Sequence, residues 1–454
     1  MKAAPAALEL AERAVRAARA DEADAVAHRE RSGFARFADS RVHQPTLVEN
    51  ASVTLRVVRD GRIGTVATNR VDDEGLDDAA RRAERAADAA RIDRAFPGLP
   101  RPSAVPEVES HDDATAALTP RDQAERAWAA IAAAPRHRLF GYFTSGVTEL
   151  AVASTTGMAV SQSLTDATLV ALAAAEGESG YAEACAWRVG DINAVALAEK
   201  AAAKAERTRD ARAIEPGTYR AVLEPYAVAE LVSFFGFAAL GSLAFTEGRS
   251  YLSGRIGERI FDERVTIVDD AVHPSGLPKA FDFEGVPKQT VGLIERGVAR
   301  DVVWDRRTAR AAGRESTGHA LAPPSQQHGA IPFNLAVEAG SASSDDLVAA
   351  VGDGIYVTRL HYVNVVDERD AIFTGMTRDG TFLVENGRMT RPLVNLRFTT
   401  SFPELAATLL AVGAGRTLVN QSDFYGERYP YGSVVPGLAT ARFSVVGTGS
   451  SPGL

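Results

Sequence analysis

Cysteine is nearly absent from this 454-residue chain, where Cys185 stands alone. One thiol excludes an internal disulfide and a cysteine-rich metal cluster. Its neighbours Ala184, Ala186 and Trp187 give it the setting of a small buried hydrophobe rather than a nucleophile. Histidine is scarce too: there are eight, and no two lie closer in sequence than His319 and His328. Such spacing leaves no imidazole pair on adjacent turns of one helix, the usual nucleus of a zinc site. No apolar run approaches the ~20 residues that cross a bilayer, so no membrane span is expected. A Walker-type phosphate loop is missing, and the glycine-rich stretch Gly447–Gly453 does not join a strand to a helix as a dinucleotide site requires. Lysine is rare: apart from Lys2, Lys200, Lys204, Lys279 and Lys288, the 50 basic residues are arginine. A G+C-rich genome is the simplest reason. The net charge of −9 argues against a nucleic-acid surface, which needs a concentrated basic patch.

The residues present describe a globular protein, 46% hydrophobic and 24% charged, too long for a single core. Met1-Lys2 leads into an alanine-rich amphipathic helix over 6–20, not a signal peptide, so a cytoplasmic location is expected. A hairpin follows: Ser52–Arg59, the positive-φ turn Asp60-Gly61, then Arg62–Asn69. Asp72 caps a helix to about Arg91. After a proline-rich joint, a helix runs from Pro120 to about Ala134. Residues 141–175 read as an antiparallel meander of Gly141–Thr144, Val147–Ser154, Met158–Ser163 and Thr168–Ala175, with turns at Ser145-Gly146 and Thr155-Thr156-Gly157. A helix over Asp191–Thr208 closes this half. The class is α+β with large antiparallel sheets, in two domains over 1–212 and 213–454.

The second half opens with strand Tyr219–Leu223 and a helix beginning at Pro225. Glu224 suits its capping turn, Glu230 a half-exposed position, and Phe234, Phe235 and Phe237 a core or an interface. Three strands follow later: Ala371–Thr377, Phe382–Glu385 and Arg388–Thr399, with turns at Asp379-Gly380 and Asn386-Gly387. A helix from Pro403 to about Val412 precedes an irregular tail ending in strand Arg442–Val446. Two clusters invite chemistry. Asp269, Asp270, His273, Asp282 and Glu284 could suit a hard cation, but the prolines and glycines around them favour turn and capping roles. Glu315-Ser316-Thr317-Gly318-His319 sets a hydroxyl beside an imidazole without a nucleophile-elbow pattern; it reads better as a loop contacting an extended ligand.

Several segments in this order resemble the TldD/TldE family, whose TldE members are also called PmbA. Arg36-Phe37-Ala38-Asp39-Ser40-Arg41-Val42-His43-Gln44 is similar to an early family segment. Arg59-Asp60-Gly61-Arg62-Ile63-Gly64 with Ala67-Thr68-Asn69 is similar to its hairpin. Pro216-Gly217-Thr218-Tyr219, Ser253–Glu258, Thr266–Asp270, Glu284-Gly285-Val286-Pro287, Leu293–Val298 and Ser316–His319 continue the match. Phe283, His319 and Pro332-Phe333-Asn334 depart from the family pattern. The resemblance implies a cytosolic peptidase family in which TldD-type members carry a helical HExxxH motif, giving two histidine ligands and a glutamate base, and a late cysteine ligand. Those helix positions fall here on Ser233, Phe234 and Ala238, and the second half has no cysteine.

By resemblance, then, this chain is the TldE/PmbA type: a non-catalytic subunit holding no metal, paired with a zinc-bearing TldD-like partner and helping to enclose a channel for extended peptide. Thr317, Gly318, His319 and Asn334 are the expected substrate contacts. A homodimer of the isolated chain is possible. Two alternatives stand beside this reading. One is a self-sufficient or peptide-modifying enzyme with a metal on Asp269, His273 and Asp282. The other is a DNA gyrase modulator without hydrolytic activity, as an older family label has it.

Overall fold

The computed structural model describes residues 6–323, 325–422 and 426–449; Met1-Lys2 and the end of the Gly447–Gly453 stretch lie outside them. Strand outweighs helix, 42% to 24%, in an α+β arrangement of two large sheets flanked by helices. The first half contains α1 (Ala7–Ala17), β1 (Glu22–Ala38), β2 (Arg41–Arg59), β3 (Arg62–Thr68), α2 (Asp73–Ala89), α3 (Asp113–Ala116), α4 (Pro120–Ala133), β4 (Arg138–Ser154), β5 (Ala159–Ala175), β6 (Glu178–Ala186) and α5 (Ala194–Glu206). Its strands form one antiparallel sheet in the order β3-β2-β1-β4-β5-β6.

Alternation in these strands sorts the two faces. Ala25, Leu55 and Ala153 stand in register on one face, buried under α1 and α2. Ala35, Phe143 and Leu169 continue that face under α4 and α5. Alanines here let the helices lie close. A Cβ on Gly64 would meet the Ala83 carbonyl of α2 at 2.0 Å, and one on Gly180 the Ala201 carbonyl of α5 at 2.2 Å. The capping of α2 by Asp72 and the capping box of Thr119 and Asp122 on α4 fix where those helices begin.

The second half runs β7 (Gly217–Leu223), α6 (Pro225–Ala239), α7 (Ser242–Thr246), β8 (Ile267–Asp269), β9 (Val291–Glu295), β10 (Val298–Ala299), α8 (Arg306–Ala311), β11 (Leu335–Val337), α9 (Ser344–Val351), β12 (Gly354–Asp367), β13 (Ile372–Glu385), β14 (Arg388–Leu393), β15 (Leu396–Ser401), α10 (Phe402–Ala407), β16 (Leu409–Asn420) and β17 (Gly432–Thr448). β17, β15, β13, β12 and β7 pair in a closed circuit, because β7 bonds both β12 and β17. Closure removes the open edges these strands would otherwise present. α6 belongs to this half's core: Ala227, Leu231, Val232, Phe235 and Ala239 are buried with Ile355, Phe373 and Phe443.

Four expectations need correction. Ser145-Gly146 is not a turn, since β4 runs through it. Gly146 is small because a Cβ there would lie 2.8 Å from the Arg428 guanidinium. Asp379-Gly380 is a bulge inside β13, with φ of 55° and 125°, which sets Asp379 against Arg359. The helix from Pro403 ends at Ala407, and the expected irregular tail holds β16 and a β17 much longer than Arg442–Val446. Phe237 is 51% exposed, which leaves the interface half of its core-or-interface expectation. The turns at Asp60-Gly61 and Asn386-Gly387 form as expected, with positive φ at all four residues.

The other face of the first sheet meets the second half. Phe281 and Phe283 pack on Val26, Leu150 and Val152. Beside them Arg428, from the β16–β17 connection, is driven into the sheet. Its guanidinium donates to both Asp166 oxygens at 2.7 and 2.5 Å and to Thr144 Oγ1 at 3.0 Å. Its N–H donates to Glu30 Oε2 at 2.6 Å, while its carbonyl accepts from His28 Nε2 at 2.8 Å and Thr148 Oγ1 at 3.0 Å. Removing one partner of a buried pair strands the other, at about 3–5 kcal/mol. Arg428→Ala is therefore expected to lower the urea midpoint by about that much stability, and Arg428→Lys to recover little, because an ammonium cannot fork onto Asp166.

Candidate functional site

A cleft of about 900 Å³ lies along the seam between the halves. Its wall on the first sheet includes Phe34, Arg36, Phe140, Tyr142, Leu172 and Tyr181; Arg359, Ser422 and Arg428 face them from the second half. Cross-strand register builds this wall, pairing Arg36 with Tyr142 and Leu172 with Tyr181. Phe34 stacks on Tyr142 with centroids 4.8 Å apart, and the Arg359 guanidinium lies 4.3 Å from the Tyr181 ring centre. Asp379 holds Arg359, and the Tyr181 hydroxyl donates to Glu183. Glu183 Oε1 also accepts the Asn420 N–H at 3.1 Å. Burial and the nearby Glu183 push Glu230, on α6, up to about 7.

α6 carries Ser233, Phe234 and Ala238, the positions onto which the sequence resemblance places the motif. Ser233 and Phe234 are half-buried and Ala238 is buried. Phe234 packs against Phe373 at 5.8 Å. Ser233 offers one neutral hydroxyl, and Phe234 and Ala238 offer no heteroatom. These side chains do not fit a zinc ion, which takes imidazole, thiolate or carboxylate donors. Among the described residues, no group of three or more His, Cys, Asp or Glu side chains is placed to hold a metal. Glu224 begins α6, yet its carboxylate does not cap the helix; it accepts from Lys204 Nζ at 2.5 Å and Thr358 Oγ1 at 3.0 Å.

Thr317, Gly318, His319 and Asn334 come together in a compact polar cluster around Asp269. His319 Nε2 donates to Asp269 Oδ1 at 2.9 Å, and the Asn334 N–H donates to Oδ2 at 3.0 Å. Burial, reinforced by Lys288, lowers His319 although Asp269 pulls the other way, so the ring is neutral at pH 7. Its Nδ1 then accepts from Thr317 Oγ1 at 2.9 Å. Hydroxyl, imidazole and carboxylate stand in line as in an acyl-transfer triad. Nucleophilic attack is nevertheless blocked. Thr317 Oγ1 also accepts the Trp304 N–H at 2.8 Å, the Trp304 carbonyl at 3.2 Å competes for its single proton, and His319 is 1% exposed. Gly318 takes φ of 76°, with a Cβ position 2.2 Å from the Pro287 carbonyl. As placed, the cluster latches the loop after α8 to β8 and β11.

The alternative metal site on Asp269, His273 and Asp282 does not form. His273 sits in a turn, its Nδ1 2.7 Å from Ser275 Oγ. Asp282 accepts backbone N–H groups from Glu284, Val286 and Ala320 at 2.8–3.0 Å, a capping role. Residues that sequence reasoning missed include Arg428, Asp166, Lys279 and Lys288. Burial, with Lys288 nearby, pushes Lys279 down to about 7; its Nζ donates to the Leu277 carbonyl and to Asn334 Oδ1. A signal existed for the lysines. In a chain that uses arginine almost everywhere, a retained lysine marks a site where a fork does not fit, and Lys204, Lys279 and Lys288 all sit in buried polar settings.

Burial alone would raise Asp269, but hydrogen-bonded His319, Lys288 and the Asn334 N–H outweigh it and hold the carboxyl at about 2. The folded value lies below the ordinary ~3.9 of an unfolded chain. The resulting stability, about 2 kcal/mol, is present above about pH 4 and lost as pH falls through 2. Asp269→Asn is expected to flatten the fall in unfolding midpoint across that window, measured by urea titration at several pH values.

Comparison with known proteins gives this arrangement its context. The family model described as the PmbA/TldA metallopeptidase C-terminal domain matches residues 216–447, and that for PmbA/TldA metallopeptidase domain 1 matches residues 23–87. A metalloprotease of Methanothermobacter thermautotrophicus is 27% identical over 257 residues, 56% of this chain and 55% of its own. A metalloprotease TldD homologue of Haemophilus influenzae is 29% identical over 267 residues, 57% and 54% of the two chains. The chain spans about half the length of these curated relatives. A zinc metalloprotease TldD homologue of Saccharolobus solfataricus matches at 28%, over 40% of each chain. Among solved structures, TldE from Thermococcus kodakarensis superposes with a TM-score of 0.86 at 21% identity, covering 97% of this chain and 100% of that one. A Thermotoga maritima structure labelled a modulator of a DNA gyrase gives 0.81 at 20%, covering 94% and 96%. These two likenesses concern the fold. No helix among the described residues is long and apolar enough to cross a membrane. With its second half matched from end to end, the chain belongs to the PmbA/TldD family of metallopeptidases.

Proposed function

We propose that this chain is the metal-free subunit of a TldD/TldE-type peptidase, joined to a TldD-like partner that carries the zinc, and that the pair processes peptides or unfolded segments. The observation that carries this reading is the donor chemistry of α6: Ser233, Phe234 and Ala238 stand where the motif would place two histidines and a glutamate. The fold shared with a protein named TldE agrees with it. So does the peptide-sized cleft along the seam. β2 adds an open edge at the cleft. Its partner β3 pairs only from Val53 onward, so the Arg41–Ser52 stretch is bonded on the β1 side alone. Such an edge suits strand addition by an extended peptide, although Pro45 withholds one N–H from it. The gyrase-modulator reading rests on the labels of fold neighbours, and a net charge of −9 lends it no support. A self-sufficient enzyme on Asp269, His273 and Asp282 loses its geometry.

The chain purified by itself is expected to retain less than a tenth of an equivalent of zinc by elemental analysis, roughly the background of a protein without a built site. It should leave an unfolded casein substrate intact, and cleavage should appear when a TldD-type chain is added. One equivalent of zinc on this chain alone, or cleavage without the partner, would overturn the reading.

A further inference from the structure

The seam cleft has an electrostatic character opposite to that of the whole protein. The chain carries nine net negative charges, yet among the described residues no aspartate or glutamate lines this cleft. Of the arginines that do, Arg428 is neutralised by Asp166 and Arg359 by Asp379. Arg36 is different. It lies on the wall between Gln44 and Tyr142, is exposed, and forms no ion pair among the described residues. The nearest acid along its strand, Asp39, is within reach of Arg138 at 3.7 Å. One uncompensated guanidinium therefore overlooks a cavity lined by the rings of Phe34, Phe140, Tyr142 and Tyr181 and by Val170 and Leu172, with His43, Gln44, Thr46 and Ser422 as neutral polar groups at its margin. A guanidinium fork matches a carboxylate, and rings beside it match apolar side chains a residue or two away. At about 900 Å³ the volume falls toward the upper end of ligand sites, enough for a short peptide segment.

We infer that this cleft binds the carboxyl-terminal end of an apolar peptide, with Arg36 taking the terminal carboxylate and the Phe34–Tyr142 stack taking the last side chains. The inference rests on the peptide-handling role proposed above and names the part of the peptide that this subunit holds. An open C-terminus is favoured over an acidic side chain because, among the described residues, the wall offers a single unpaired guanidinium beside a mainly apolar surface. The open β2 edge at Gln44–Val48 leaves room for the peptide main chain to run outward from Arg36.

The test uses the full chain and a fluorescein-labelled synthetic peptide, Gly-Ser-Gly-Ala-Leu-Val-Phe-Leu, with either a free or an amidated C-terminus. Anisotropy titration should show the free acid binding about tenfold or more tighter than the amide, the worth of one charge-assisted hydrogen-bonded contact. Arg36→Gln should erase that difference with amide binding unchanged, and Arg36→Lys should keep part of it. Phe34→Ala should weaken both peptides alike. Equal affinity of acid and amide for the unaltered chain would overturn the carboxylate assignment while leaving peptide binding in place. Equally tight binding of an amidated peptide with an internal aspartate would overturn terminal recognition. Binding of neither peptide would overturn the cleft as a peptide site. Zinc on the isolated chain, by contrast, would sink the subunit role and leave the acid–amide comparison standing.

Discussion

One arginine holds the seam on which the rest of the structure depends. Arg428 comes from a connection late in the chain, and His28, Glu30, Thr144, Thr148 and Asp166 hold it on the first sheet, up to 400 residues away in sequence. Its guanidinium, amide and carbonyl are all engaged there, so the connection is fixed in position and direction. Phe283 on Tyr429 at 4.8 Å and Phe333 on Tyr431 at 4.7 Å extend the clamp to either side. Ionised groups this deeply buried are costly to desolvate, and a buried pair seldom adds net stability over a well-packed apolar substitute. What it adds here is register. An apolar plug could slide along a sheet face, whereas a fork on Asp166 with four further hydrogen bonds fits in one place only.

That register shapes the cleft. Arg428 and Ser422 form one lip of it and the Phe34–Tyr142 stack the other, so any shift of the connection would change its width. A second polar tie works in parallel on α6, where Tyr226 reaches the Glu183 main chain at 3.2–3.3 Å and Gln421 Nε2 reaches the Ala229 carbonyl at 2.8 Å. α6 is therefore held at both the sheet and the connection. The helix is braced as an architectural strut, and the Phe234 ring packs on Phe373 from it.

Much of this was legible in the sequence wherever the determinant is local. Asp72, the Thr119–Asp122 box and Pro225 mark helix starts, and Asp60-Gly61 and Asn386-Gly387 mark hairpins, because each signal is complete within four residues. The family motifs were legible as well. The errors share one cause: residues that look like punctuation serve a distant partner. Gly146 makes room for Arg428, and Asp379-Gly380 bulges to meet Arg359. β1 went unseen because the inner face of a strand at the seam carries Asp24, His28 and Glu30, which spoil the apolar alternation that betrays a strand beside water. Thr317, Gly318 and His319 lie beside Asn334 in space, but nothing in the chain announced Asp269 as their hub, for its role needs β8 and β11 to be neighbours.

The electrostatics of the two polar clusters point in opposite directions, and this separates structure from function. Around Asp269 every charge has an answer: His319, Lys288 and backbone N–H groups surround the carboxylate, and the loop is immobilised. A ligand there would have to break hydrogen bonds already made, although the buried Asn334 Nδ2 has no partner among the described residues. Along the cleft the balance is incomplete. Arg36 keeps its charge without a partner among the described residues, and the aromatic wall stays open to solvent at the cost of contacts it could have made elsewhere. Exposed apolar surface beside an unpaired cation is what a folded chain ordinarily avoids. Its persistence at the seam, where one clamped connection sets the geometry, is what the proposed peptide site builds on, rather than the buried hydroxyl–imidazole–carboxylate line.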